Sequence, residues 1–167
     1  MKSVLRALAV TLALSAVSTA VSAQNPAQIA HARGGASCPG CNLFQADFAN
    51  LELKAKSFAH ARLRQADMST AVMNRTSFAG ADLRDVNAYG AVFGGANFAG
   101  ADLTNATFVG TFLEGANFRG ARLNGVNFSG AEMGRAVGLT QAQLSGACGD
   151  AATVAPRGLH LAPCRAP

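Results

Sequence analysis

From residue 41 to residue 135 the chain repeats every five residues. The third residue of each unit is large and apolar in 18 of 19 units, from Leu43, Phe48 and Leu53 to Leu123, Phe128 and Met133. The exception is Ala88. Two residues before each centre stands a small residue, Ala in 12 of the 19 units. A fixed short period over that length is a repeat architecture and outranks any local feature. It excludes the ordinary elements. An amphipathic helix spaces its apolar residues at 3.6 and a half-buried strand at 2. A period of five needs a chain that turns a corner in every unit. The centre and the small residue two before it then point to one side, as alternate residues of an extended segment do. Gly often closes the unit, as at Gly80, Gly100 and Gly120, where a corner asks for unusual backbone angles.

A longer period sets the number of corners per coil. Every fourth centre repeats its residue type: Leu43, Leu63, Leu83, Leu103 and Leu123 form one column, and Phe58, Phe78, Phe98 and Phe118 another. Two mixed columns lie between them. Like side chains therefore stack at 20-residue spacing, which gives four sides per coil. About five coils at strand spacing make a rod of about 20–25 Å, filled by its own side chains. Ala88 leaves a gap between Met68 and Phe108. Val86, large for an inward small site, is expected to refill it in part. Leu51 and Lys56 also depart from the pattern at small inward sites of the first coil, and a buried unpaired ammonium is costly.

Units such as Ala81-Asp82-Leu83-Arg84-Asp85, Ala96-Asn97-Phe98-Ala99-Gly100 and Ala101-Asp102-Leu103-Thr104-Asn105 resemble the pentapeptide-repeat family. The resemblance implies an all-β fold, a right-handed quadrilateral β-helix. It implies little about function, because one fold hosts many roles.

The ends of the chain point to a compartment. Lys2 and Arg6 precede an apolar run from Ala7 to Val17, and small residues lead to Val21-Ser22-Ala23. This pattern is that of a secretory signal peptide cut after Ala23. The expected divisions are residues 1–23, the signal; 24–40, an N-terminal cap; 41–135, the repeat; and 136–167, a C-terminal cap helix with a disulfide-closed tail. Asn25-Pro26 can start a short helix that Gly34-Gly35 stops, and Thr140-Gln141-Ala142-Gln143 reads as a capping box. A solenoid needs both ends covered. Without Lys2 and Arg6, 12 of the 14 basic residues remain against 9 acidic ones. The mature protein is expected to be periplasmic or extracellular.

Four cysteines invite chemistry. Cys38-Pro39-Gly40-Cys41 has the spacing of a redox dithiol, but no βαβ pattern surrounds it. In an oxidising compartment, one local disulfide at each end is the expectation, Cys148 with Cys164 and Cys38 with Cys41. A thiol–disulfide protein using Cys38 and Cys41 is an alternative. His31, His60 and His160 have no partner at a catalytic spacing. Asp47, Asp67, Asp82 and Asp102 recur just before the centres and read as corner hydrogen bonding on solvated faces. No catalytic residue, cofactor or metal is expected, and the protein is not expected to be an enzyme.

The faces differ. Beside the Leu column stand Arg62, Arg64, Asp82, Arg84, Asp102 and Arg122. Beside the Phe column stand Ser57, Ser77, Asn97, Asn117 and alanines. The mixed columns carry Val72, Tyr89, Val92, Val109 and Phe112 outward on neighbouring rungs. Exposed apolar patches of this kind tend to be contact sites. The expected function is a non-enzymatic exported module that binds a protein partner or itself through that strip. A DNA-mimic inhibitor is the alternative, disfavoured by the excess of Arg and Lys and by export. Nucleic-acid binding is not expected, nor a membrane span once the signal is removed.

Overall fold

The structure, a computed structural model, describes residues 24–165. The expected signal segment, residues 1–23, lies outside the described residues. Helix α1 (Pro26–Arg33) leads into a four-sided rod. Eighteen isolated parallel bridges tie its rungs, and sixteen of them join a residue to the one 20 positions on. Strand proper is scarce: the described residues hold only β1 (Cys148–Gly149) and β2 (Ala162–Pro163). A corner every five residues leaves too few extended residues for longer strands.

The unit Asn97 to Ala101 shows the repeating bond pattern. Asn97 N–H donates down to the Thr76 carbonyl (2.9 Å), while Phe98 and Gly100 donate up to Asn117 (2.8 Å) and Arg119 (2.9 Å). Ala101 N–H closes the corner on the Phe98 carbonyl (3.0 Å). The remaining donor, Ala99 N–H, is taken by the Asn97 side chain (3.1 Å). Within the repeat, nine Asp or Asn side chains make this bond to the N–H two residues on: Asn42, Asp47, Asp67, Asp82, Asn87, Asn97, Asp102, Asn117 and Asn127. The acid ladder is thus a device for satisfying backbone.

The core is the stack of centres. We number the faces in chain order: first, the Leu column; second, the column from Phe48 to Phe128; third, that from Leu53 to Met133; fourth, the Phe column. In the fourth column the rings of Phe58, Phe78, Phe98 and Phe118 stack at 5.8, 5.2 and 5.1 Å. Buried Cys38 occupies the centre below Phe58, since Cys38 N–H donates to the Ser57 carbonyl (2.8 Å). Buried Thr76 and Thr111 take inward small sites, and their hydroxyls donate to the carbonyls of Leu53 (2.6 Å) and Phe108 (2.7 Å). Leu51 and Lys56 are half-buried.

Both ends carry helix. Asn25 caps α1 by accepting from Gln28 N–H, and Pro26 begins it. Arg33 pairs with Asp47 (2.9 Å), and Gln28 Oε1 accepts from Asn42 N–H (2.7 Å). At the other end Thr140 and Gln143 form the capping box of α2 (Gln141–Leu144). Gln143 Nε2 donates to the carbonyls of Phe118 (3.0 Å) and Ala121 (2.9 Å), and Leu144 is fully buried. The chain beyond Ala147 is more ordered than its loop-like composition suggests. Cys148 bridges to Asn127, Val154 bridges to Glu132, and β2 pairs in parallel with β1. The coil spacing stretches to 21 and 22 residues there because α2 takes the place of one flat side.

Candidate functional site

The third face is built differently from the others. Its positions before the centre are Glu52, Val72, Val92, Phe112 and Glu132, bridged into one ladder. None of the nine backbone-capping Asp and Asn residues lies on it. The backbone finds other acceptors. Gly94 N–H donates to Asn74 Oδ1 from the rung below (2.7 Å), and Gly134 N–H donates to the Glu114 carboxylate from its rung below. Three apolar residues therefore stand where the repeat elsewhere places a hydrogen-bonding side chain.

Around the corner from this ladder lie Tyr89 and Val109 on the second face. Tyr89 is 58% exposed and Phe112 38%; Val72, Val92 and Val109 are half-buried. The Phe112 ring lies across the third face. Its Cε1 is 3.1 Å from the point where a Cβ on Gly94 would stand. A side chain at position 94 would lift that ring. Val72, Val92 and Phe112 lie on one ladder, and Val154, 51% exposed, continues that ladder at the C-terminal end. Sequence reasoning missed Val154, because the two-residue stretch after α2 puts it out of phase.

The strip is bracketed by charge. Glu52 pairs with Lys54 (3.1 Å) at one end, and Glu114 pairs with Arg135 (2.8 Å) near the other, beside exposed Glu132. Hydrogen bonding from Arg135 holds the Glu114 carboxyl below its ordinary range.

The first face is charged but internally paired. Arg84 binds both oxygens of Asp82 (2.7 Å each), Arg64 pairs with Asp85 (3.1 Å), and Arg122 lies 3.9 Å from Asp102. The Arg84 bond lowers the Asp82 carboxyl and in turn raises the guanidinium. A shallow hollow of about 370 Å³ opens here between Gly80, Gly100, Asp82, Asp102, Arg84 and Arg122. Its acids are matched by its own arginines.

The cysteines form two disulfides, Cys38 with Cys41 and Cys148 with Cys164. Cys38 is 3% exposed. The bridge runs from a centre site to the next inward small site, so Cys41 keeps its place in the repeat. Cys164 N–H donates to the Gly149 carbonyl (2.9 Å), so the second disulfide clamps β2 onto β1. The histidines lie apart. His31 is in α1, the His60 ring covers Gly80, and His160 exchanges hydrogen bonds with the Gln141 side chain. Among the described residues no helix is long and apolar enough to cross a membrane.

No curated protein matches the chain in sequence. Two solved structures resemble it in fold. A pentapeptide repeat protein from the thylakoid lumen of Arabidopsis thaliana is 24% identical with a TM-score of 0.54, over 60% of this chain and 66% of the other. HetL, a pentapeptide repeat protein involved in heterocyst differentiation regulation in the cyanobacterium Nostoc sp. strain PCC 7120, is 23% identical with a TM-score of 0.51, over 77% of this chain and 60% of the other. The chain thus spans just under two thirds of the length of these relatives. The family model for pentapeptide repeats matches in eight copies across residues 57–87, 82–120, 96–135 and 113–148. That is more than half of the sequence, and the chain belongs to the pentapeptide-repeat family, whose fold is the right-handed β-helix.

Proposed function

We propose that this protein is a non-enzymatic, exported structural module that docks a protein through the apolar corner between its second and third faces. One observation carries the reading. Val72, Val92 and Phe112 occupy the ladder position where nine Asp and Asn residues elsewhere cap the backbone. An Asp or Asn there would cap the backbone as it does on the other faces, and large exposed aromatics are the usual anchors of a contact. The family supports the class of function, being generally one of non-enzymatic interaction modules.

Export is part of the proposal. Two disulfides with no free cysteine among the described residues fit an oxidising compartment. A mature chain starting at Gln24 begins just before α1. In this reading the rod has about five coils, closed by α1 below and by α2 with the disulfide-clamped tail above. A DNA mimic needs an acidic rod, and here basic residues outnumber acidic ones, 12 to 9, even without Lys2 and Arg6 of the 14 basic residues. A dithiol enzyme needs an accessible Cys38, which is instead buried under the Phe column.

The test is a photo-cross-linking residue placed at Tyr89, and separately at Ala79 on the bland fourth face, in the exported fraction of the source cell. Adducts at position 89 and none at 79 are expected. Equal labelling at both positions, or none at 89, overturns the reading.

A further inference from the structure

The third face carries two unlike columns. On the side where the chain enters stand Glu52, Val72, Val92, Phe112 and Glu132. On the side where it leaves stand Lys54, Asn74, Gly94, Glu114 and Gly134, with the Arg135 guanidinium at the next corner paired to Glu114. The entry column is acidic, apolar, acidic over the repeat, and Val154 follows it at the C-terminal end. The exit column is basic at the bottom and glycine-floored in the middle, and its one acid, Glu114, is neutralised by Arg135 at the neighbouring corner. The side chains of Glu52, Lys54 and Arg135 are 68%, 50% and 83% exposed, so all three can turn to a new partner.

We infer that the occupant of this face is the same face of a second copy, the two rods lying side by side and parallel about a twofold that runs along the rod axis. The inference rests on the proposed contact surface and names its partner. Such a twofold sets each entry column against the partner's exit column. Glu52 then meets Lys54 of the partner subunit on the same rung, and Glu132 meets Arg135 of the partner subunit, each twice. Val92 falls against Gly94 of the partner subunit, and Val72 against Asn74 of the partner subunit. Phe112, which already lies across the face over Gly94, comes close to the axis and to its own copy. The opposite, antiparallel twofold fails on charge, because it sets Glu52 against Glu132.

The face is small. Five rungs at about 4.8 Å and a unit's width give roughly 400–500 Å² per partner. The total of about 800–1,000 Å² lies at the lower limit of specific interfaces. The pair is therefore a dissociable dimer that forms with concentration.

Sedimentation of the disulfide-intact mature chain tests this. The natural protein should pass from monomer to dimer as concentration rises toward about 1 mM, the range a weak interface reaches. Glu52→Lys alone and Lys54→Glu alone should each dimerise about tenfold more weakly. Mixing those two variants should restore the dimer, since each now faces its opposite charge. Three outcomes overturn the inference: a monomer at every concentration, a mixture no better than its components, or a tighter Glu52→Lys dimer, which signals the antiparallel pairing. A monomer that still gives cross-linked adducts at Tyr89 overturns the second copy alone. A monomer without adducts overturns the contact surface as well.

Discussion

Phe93 packs its ring edge-on against Phe98 at 5.4 Å, in the one coil where the second face offers Ala88 in place of a large centre. The two exceptions compensate. Phe93 is the only Phe of the third column, and its ring also meets Phe78 (5.9 Å) and Phe108 (5.7 Å). Phe93 brings extra volume to the coil that lacks a large centre at Ala88, and Val86 of the same unit is also buried. Ala88→Leu should overpack the coil and cost about 1–3 kcal/mol. Phe93→Leu should also destabilise, by about 1 kcal/mol or more, through lost burial. The two together should cost less than their sum, because the larger side chain at position 88 refills the space that the trimmed one at position 93 leaves. Urea unfolding of the four proteins checks this; strict additivity would refute the compensation.

Most of the rod was legible from the period alone, and the reason is physical. Each unit meets only its neighbours, so a local pattern dictates a local packing. Leu43 and Leu123 needed no knowledge of distant chain. At Ala88 the period points to Val86, which is buried; the packing of Phe93 against Phe78, Phe98 and Phe108 runs around the coil and is not visible within one unit. The tail was underread because β2 pairs with β1 out of phase with the repeat. The strip was legible as outward apolar positions, but its cost to the backbone was not. That cost lies in the hydrogen bonds of the Asp and Asn ladder, which stops at the third face.

The corners give a second prediction. Ala55 has φ 55° and Gly100 has φ 67°, so both hold left-handed backbone. Seven successive corners from Gln45 to Arg75 do this without a single Gly, because the ladder bonds on either side impose the turn. Left-handed backbone costs an ordinary residue roughly 1 kcal/mol. Ala55→Gly should therefore stabilise by up to about 1 kcal/mol, and Gly100→Ala, with nothing within 4 Å of its new Cβ, should lose a similar amount. Gly125→Ala should cost more, since its Cβ would stand 2.5 Å from Asn105 Oδ1. Thermal unfolding ranks the three; equal losses at 100 and 125 would mean that Asn105 moves aside freely.

Acid should loosen the molecule from several carboxylates at once. Asp47 is depressed chiefly by its hydrogen bond from Arg33, Asp82 by Arg84, Glu114 by Arg135 and Asp150 by the Gly130 N–H. A depressed carboxyl contributes its full stability above the unfolded value, 3.8 for Asp and 4.5 for Glu, and loses it as pH falls through the lower folded value. The melting temperature should be level from neutral pH to about 5 and fall below about 4. Asp47→Asn should shallow that acid limb, because one of the groups that takes up a proton on unfolding is gone. An unchanged limb would place the loss elsewhere.

The two disulfides should differ in weight. Cys148 and Cys164 are 16 residues apart, and Cys38 and Cys41 only 3. Loop closure by the longer bridge is worth about 3 kcal/mol, and the shorter constrains the unfolded chain less. Replacing Cys148 and Cys164 together by Ser should free β2 from β1 and lower stability by that order. Replacing Cys38 and Cys41 should cost less through chain entropy, but it also puts a polar hydroxyl at the buried centre below Phe58. Denaturant midpoints of the two double variants separate the cases. A larger loss at Cys38 and Cys41 would show that the plug beneath the Phe column outweighs the longer loop.

The apolar strip should separate stability from contact. Tyr89 is more than half exposed and Phe112 rests on Gly94. Tyr89→Ser should leave the melting temperature nearly unchanged, while Phe112→Ser should cost about 1 kcal/mol for the apolar area it uncovers. Val72→Asp should go the other way. It places a carboxylate where nine Asp and Asn residues cap the N–H two positions on. A gain of up to about 1 kcal/mol is expected from that bond. All three should weaken association through the third face. A protein that gains stability at position 72 while losing its contact has been holding Val72 for the contact, the trade that functional surfaces commonly make. If Val72→Asp instead unfolds the rod, the valine was serving the fold. If it leaves association intact, the strip is ordinary surface.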